Sequence, residues 1–201
     1  MNVEVIPDEQ RKEILHLSVD DHFFREIHTA IFGKHPKFSF QEENLPEQFF
    51  RKEFERSRFF VLKRLSQRSY SSFELRFQLQ ERLVSQETIE RVIDDCHHLG
   101  YLDDKAWLEQ FIRTQLLRKL GPMMIEAKLY QKRVPKSFYE PILANLVTHE
   151  DQEKAIKRLM NTRFRSKDLR DFKERQKVFG ALMRKGFNPD LIKEILALWL
   201  N

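Results

Sequence analysis

Gly100-Tyr101-Leu102-Asp103-Asp104 closes one amphipathic segment and opens another built on the same plan. Gly100 is a natural helix stop, because only glycine enters the left-handed region without steric cost. Asp103 reads as an N-cap whose carboxylate accepts from the free N–H groups of the next turn. Asp104 then favours the positive end of the helix it opens. That helix runs on through Trp107 and Phe111.

On both sides of this boundary the apolar register repeats. Leu75, Leu79, Val84, Ile89 and Ile93 are spaced by four, five, five and four. Ile125, Leu129, Val134, Tyr139 and Leu143 have the same spacings, and so do Val178, Leu182, Phe187, Ile192 and Leu196. The fours fall inside helices; the fives straddle the point where the chain turns. Ser85, Pro135 and Asn188 occupy one equivalent position, and Ser71 and Gly121 another. Three matches with coincident helix breakers predict a tandem three-helix repeat. The fold class expected is therefore mainly α, with three units. Each is too small to bury a core alone, so they stack as an elongated array, open to curvature.

The expected divisions are 1–47 (an acidic N-terminal segment and linker), 48–100 (repeat 1), 101–148 (repeat 2) and 149–201 (repeat 3). In repeat 1, Phe49, Phe50, Phe54, Phe59, Phe60, Leu62 and Leu65 mark the first helix. Ser71-Ser72-Phe73-Glu74 reads as a capping box opening the second, and Ser85 caps the third. In repeat 2, Gly121-Pro122 restarts the chain after the Trp107 helix. In repeat 3, Asn188-Pro189 does the same. Tyr101 and Phe111 are read as packed, so Tyr101→Asp or Phe111→Ala should cost roughly 3 kcal/mol or more.

The first 33 residues differ. Val3, Val5, Ile14, Leu15, Leu17 and Val19 are β-friendly, and Asp20-Asp21 is a turn signal before Phe23, Phe24 and Ile27. A short strand followed by a hairpin around Asp20-Asp21 is expected, with a helix over Asp8–Leu17 as the competing reading. Residues 34–46, with Pro36, Phe38, Phe40 and Pro46, read as an extended link.

Charge is distributed unevenly. Residues 1–50 carry five Lys/Arg against ten Asp/Glu, while Lys157–Lys185 holds eleven basic residues against three acids. A basic body attracts polyanions, either nucleic acid or the acidic surface of a protein. No apolar run approaches the roughly 18 residues of a membrane span. The N-terminus has no basic segment followed by an apolar one, so no signal peptide is expected. Cys96 is the single cysteine, which excludes an intrachain disulfide and suits a reducing, cytoplasmic setting.

Reactive chemistry is missing from the pattern. There is no phosphate-cradling Gly-rich loop, no HExxH and no CxxC. Asp94-Asp95 and Asp103-Asp104 sit at helix ends, where caps and solvated charges belong. Cys96-His97-His98 are consecutive on a helix and cannot converge on one ion, and His22, His28 and His35 lack a ligand spacing. No cofactor, metal or catalytic residue is expected.

Gly100-Tyr101-Leu102-Asp103-Asp104, with Trp107, Phe111, Ile112, Arg113, Gly121-Pro122, Ile125, Leu129, Lys132 and Val134, resembles the most characteristic block of the RecX family. Leu65, Ser66, Arg68, Ser72, Glu74 and Leu75 match in repeat 1, and Phe172, Leu182, Arg184, Gly186 and Phe187 in repeat 3. Two departures stand out: Met123-Met124 replaces the basic residues usual after Gly-Pro, and Arg133 replaces a usual glycine. The first removes positive charge from that turn. The resemblance implies a non-enzymatic, cytoplasmic regulator of recombination and the SOS response. Such a regulator binds the RecA–single-stranded-DNA filament and modulates its growth, ATP hydrolysis and strand exchange. It also implies a monomer touching single-stranded DNA directly or through RecA.

Candidate contacts are Arg113, Arg118, Lys119, Lys128, Lys132 and Arg133 in repeat 2, and Arg163, Arg165, Lys167, Arg170, Lys173 and Arg175 in repeat 3. The competing functions are a helical DNA-binding module acting without RecA and a helical protein scaffold. The former needs a recognition helix presenting Arg, Asn or Gln to base edges, and no helix is singled out for that.

Overall fold

The computed structural model describes residues 2–40 and 44–199. The chain divides into two compact units, Met1–Asp104 and Lys105–Asn201.

Unit 1 begins with β1 (Val3–Pro7), β2 (Ile14–Val19) and β3 (His22–His28), an antiparallel sheet in the order β1-β2-β3. Asp20 and Asp21 make the β2–β3 turn with φ of +48° and +65°. Positive φ at both central residues matches the twist of the flanking strands, which is why Asp is tolerated there. The first strand thus pairs with the hairpin rather than standing alone. The competing helix over Asp8–Leu17 does not form: the Asp8 carboxylate accepts from the N–H groups of Gln10 and Arg11, curling residues 8–13 into a loop. Leu15 and Leu17 then point into the core.

A single turn, α1 (Thr29–Phe32), leads to the link, whose residues 41–43 lie outside the described residues. Pro46 belongs to the first turn of α2 (Leu45–Leu65) rather than to the link, because its fixed φ suits a helix start. Phe49 of α2 is fully buried and is the hub of the N-terminal core. Phe24 of β3, Phe32 of α1 and Phe38 of the link lie 5.4, 5.6 and 6.2 Å from its ring. The sheet and the first helical repeat therefore share one core, continued by Val61, by Leu75 and Leu79 of α3 (Ser72–Gln80), and by Ile89, Val92, Ile93 and Cys96 of α4 (Gln86–His98).

A buried charge crosses this core. Glu53 accepts from the Ser85 N–H and hydroxyl at the start of α4 and lies 3.4 Å from Arg25 of β3. Arg25 also donates to the Leu83 carbonyl and lies over the Phe49 ring. Ser85 and Ser71 both cap their helices as expected. Glu74 meets Arg68 at 3.0 Å, and the reciprocal capping box occurs at Thr148 and Asp151.

The Gly100–Asp104 stretch turns as its sequence requires. Gly100 takes φ +72°, and the Tyr101 N–H donates to the Cys96 carbonyl at 2.8 Å. Leu102 is the residue that enters the core, 5% exposed. Tyr101 is 53% exposed, which corrects the packed role expected of it. Asp104 does more than favour its own helix. Its carboxylate accepts from the Ser72 N–H at 2.7 Å and the Ser72 hydroxyl at 2.6 Å, satisfying a free donor at the start of α3.

Unit 2 contains the rest of α5 (Asp104–Leu117), then α6 (Pro122–Gln131), α7 (Lys136–Leu146), α8 (His149–Thr162), α9 (Phe172–Arg184) and α10 (Pro189–Leu198). Every one of the fifteen register residues, from Leu75 to Leu196, is buried. The structure also explains the five-residue steps. Leu83, Arg133 and Gly186 occupy the same point in the three repeats, with φ of +59°, +63° and +85°. After each of them the chain folds back. Val84, Val134 and Phe187 donate to the carbonyls of Leu79, Leu129 and Leu182 at 3.2, 3.1 and 3.4 Å. This is the Schellman closure of a helix, three times over.

Candidate nucleic-acid interface

Repeats 2 and 3 meet backbone to backbone. The Gly121 N–H donates to the Lys185 carbonyl at 2.8 Å, and the Met123 N–H to the Gly186 carbonyl at 3.1 Å. The free donors opening α6 thus satisfy free acceptors closing α9. Both glycines are required. A Cβ on Gly121 would lie 2.3 Å from the Gly186 carbonyl oxygen, and one on Gly186 would lie 2.2 Å from Met124 N.

This joint gathers positive charge. The Lys185 side chain reaches back to the Arg118 and Lys119 carbonyls, 3.5 Å from each, so its ammonium sits at the negative end of α5. Burial holds the Lys185 pKa below its ordinary value, and the charges of Arg163 and Lys119 push it the same way. Arg163 lies in the loop after α8 and Lys119 in the turn after α5, and both repel the Lys185 ammonium. Among the described residues, none of Arg118, Lys119, Arg163 and Lys185 forms an ion pair with a carboxylate. Lys119 itself has φ +58°, a left-handed conformation that favours glycine or asparagine.

The other expected contacts are placed differently. Lys132 lies 5.7 Å from the Trp107 ring and 5.6 Å from Phe111, two rings stacked at 5.3 Å. Arg133 occupies the left-handed turn after α6. Arg113 is exposed on α5, and Lys128 is half-buried on α6. Arg165, Lys167 and Arg170 lie exposed in the loop before α9, and Lys173 is exposed in the first turn of that helix. Lys167 and Arg175 are engaged within the unit as well. Lys167 pairs with Glu174 at 2.7 Å, and Arg175 packs over Phe172 while donating to the Leu169 carbonyl.

Lys185 is the residue that sequence reasoning missed. It ends a helix, where a lysine has an ordinary capping role, and only the joint places Lys119 and Arg163 near it. Gly186 beside it was the available signal, since a turn that needs glycine for a close approach marks a place where two backbones touch. The Met123-Met124 departure also acquires a setting. Met123 borders a groove of about 340 Å³ that Asp190 and Glu194 line as well, so acidic side chains stand near the position where the basic residues are missing.

Asp8, His16 and Glu26 are the one trio of potential metal ligands among the described residues. Arg11 already bridges both carboxylates and holds the Asp8 carboxyl well below the usual range. A cation is thus built into that cluster. No described helix is long and apolar enough to cross a membrane.

Residues 150–196 match the family model described as RecX, third three-helix domain. The regulatory protein RecX of Syntrophotalea carbinolica is 30% identical over 131 residues, covering 63% of this chain and 85% of that one. RecX of Legionella pneumophila strain Corby is 27% identical over 138 residues, covering 67% and 89%. In RecX of Staphylococcus haemolyticus, 28% identical, the match spans only half of the relative. A crystal structure of regulatory protein RecX superposes with a TM-score of 0.62 at 20% identity, covering 96% of this chain and 98% of that one, and so shares its fold. RecX from Lactobacillus salivarius gives 0.59 at 23% identity over 72% of this chain and 94% of that one. Burial of the repeated register, together with these relatives, places the chain in the RecX family of regulatory proteins.

Proposed function

We propose that this chain is a non-enzymatic, cytoplasmic modulator of the RecA–single-stranded-DNA filament, acting on filament growth, ATP hydrolysis and strand exchange. The observation that carries the reading is the joint of repeats 2 and 3, where Lys185 reaches the Arg118 and Lys119 carbonyls and where Lys119, Arg163 and Lys185 form no ion pair with a carboxylate among the described residues. Like charges held together in the free chain favour an anionic partner, because a bound anion relieves their repulsion. A strand of phosphates coated by protein supplies such a partner.

The test is co-sedimentation of the chain with RecA-coated single-stranded DNA across a salt series. Retention on the coated strand is expected to exceed that on bare DNA. Lys119→Gln with Arg163→Gln should flatten the salt dependence by about one slope unit for each phosphate no longer neutralised. Equal or tighter binding to bare duplex would assign the chain to DNA without RecA. An unchanged salt slope in the double variant would remove the joint from the interface.

A further inference from the structure

A second cationic surface lies in unit 1, built from residues that the sequence did not suggest as contacts. Arg56, Phe59, Phe60, Lys63 and Arg64 recur on α2 at helical spacing and share one face. With the turn from Thr29 to Gly33 they line a cleft of about 480 Å³ whose described lining includes no acid. Phe59 is 65% exposed. Phe60 carries two guanidiniums on its ring, Arg64 at 5.3 Å and Arg82 at 5.0 Å. Among the described residues, Arg56, Lys63, Arg64 and Arg82 form no ion pair. Arg82 and His28 are both held below their ordinary pKa chiefly by burial, with Arg64 and Arg82 respectively adding to the shift and Glu13 opposing it.

We propose that this cleft binds a single-stranded nucleic acid directly, one base stacking on Phe59 while Arg56, Lys63 and Arg64 hold the flanking phosphates. A bare Phe ring beside unpaired cations needs a ligand that is flat and apolar at one point and anionic on either side. A nucleotide strand has both at every residue. Arginine suits the flanks, since its planar fork meets phosphate in a bidentate way and also stacks. An acidic protein helix would satisfy the charges but leave no reason for an open aromatic platform. The site shares no residue with the joint in unit 2 and needs no RecA.

The experiment uses the full chain and a fluorescein-labelled dT12 oligonucleotide, read by anisotropy. Phe59→Ala should weaken binding about tenfold, as removal of one stacked base does. Phe59→Trp should retain affinity and show tryptophan quenching on addition of dT12 but not of dextran sulfate, a polyanion without bases. Arg56→Gln with Lys63→Gln should lower the salt slope. Circular dichroism checks each fold, and exposure of Phe59 makes unfolding an unexpected result. Unchanged dT12 affinity in Phe59→Ala, or equal quenching by dextran sulfate, would overturn the proposal. So would loss of retention on RecA filaments with dT12 binding intact, which would assign the cleft to a protein surface. Loss of dT12 binding with filament retention preserved supports this site and leaves the joint in unit 2 to be judged by its own variants.

Discussion

Replacing Gly186 with alanine puts a methyl carbon 2.2 Å from Met124 N and 2.6 Å from Met124 Cβ, in a residue whose φ is +85°. Two costs add. Holding a side chain in the left-handed region costs about 1–2 kcal/mol. Forcing apart a packed contact costs about 1–3 kcal/mol. The sum of about 2–5 kcal/mol corresponds to a fall of roughly 4–20 °C in Tm for a chain of this size. Gly121→Ala has ordinary φ but meets the Gly186 carbonyl at 2.3 Å, so it should incur only the packing cost, about 1–3 kcal/mol. Gly180, inside α9, is the control. Its added methyl would meet only the far end of Arg184 at 3.4 Å, and Gly180→Ala should stabilise by about 1 kcal/mol. Because Gly121 and Gly186 touch, their double variant should depart from additivity. Urea unfolding followed by tryptophan fluorescence reads unit 2 alone, since Trp107 and Trp199 both lie there. A Gly186→Ala variant as stable as the parent, or Gly121 and Gly180 behaving alike, would refute the backbone docking of repeat 2 on repeat 3.

Three further outcomes follow from unit interiors and surfaces. Leu102→Ala should cost about 2–5 kcal/mol, whereas Tyr101→Asp should stay within about 0.5 kcal/mol; thermal melts that rank them the other way would contradict the burial seen at the Gly100 turn. Glu174 sits between Lys167 and Lys177, whose hydrogen bonds pull its carboxyl down to about 2. Its contribution to stability is therefore complete above the ordinary carboxylate range and is lost as pH falls through that range toward 2, so Glu174→Gln should flatten the acid limb of the stability–pH curve; an unaltered limb would argue against the pairing. Burial raises the Cys96 thiol to about 11, so an aromatic disulfide reagent at pH 8 should label the chain only once it unfolds, and rapid labelling of the native chain would show that α4 is open.

The helices were legible because their interiors obey one arithmetic. Leu75, Ile125 and Val178 head the same pattern, and a face that must be buried every turn leaves a periodic trace. The turn at Asp20-Asp21 was legible for a related reason, as acidic residues tolerate positive φ. What escaped depended on distance in sequence. Tyr101 looked like core because it is aromatic and borders a helix, but the turn at Gly100 directs Leu102 inward instead. Asp104 was read as serving its own helix, and its partner Ser72 is 32 residues away. Lys185 joined the cationic joint only by reaching residues 66 and 67 positions earlier. The α2 cleft was hidden in plain apolar periodicity: Phe59 and Phe60 scored alike as a buried face, and only packing leaves one of them open.

Equilibrium binding of the chain to RecA-coated single-stranded DNA, with the Lys119→Gln/Arg163→Gln/Lys185→Gln variant alongside, decides whether the joint of repeats 2 and 3 meets the filament. The parent chain is expected to bind the coated strand more tightly than bare DNA, and the triple variant to lose that preference while keeping its helical content. A folded triple variant that binds filaments as tightly as the parent, at every salt concentration, would contradict the account.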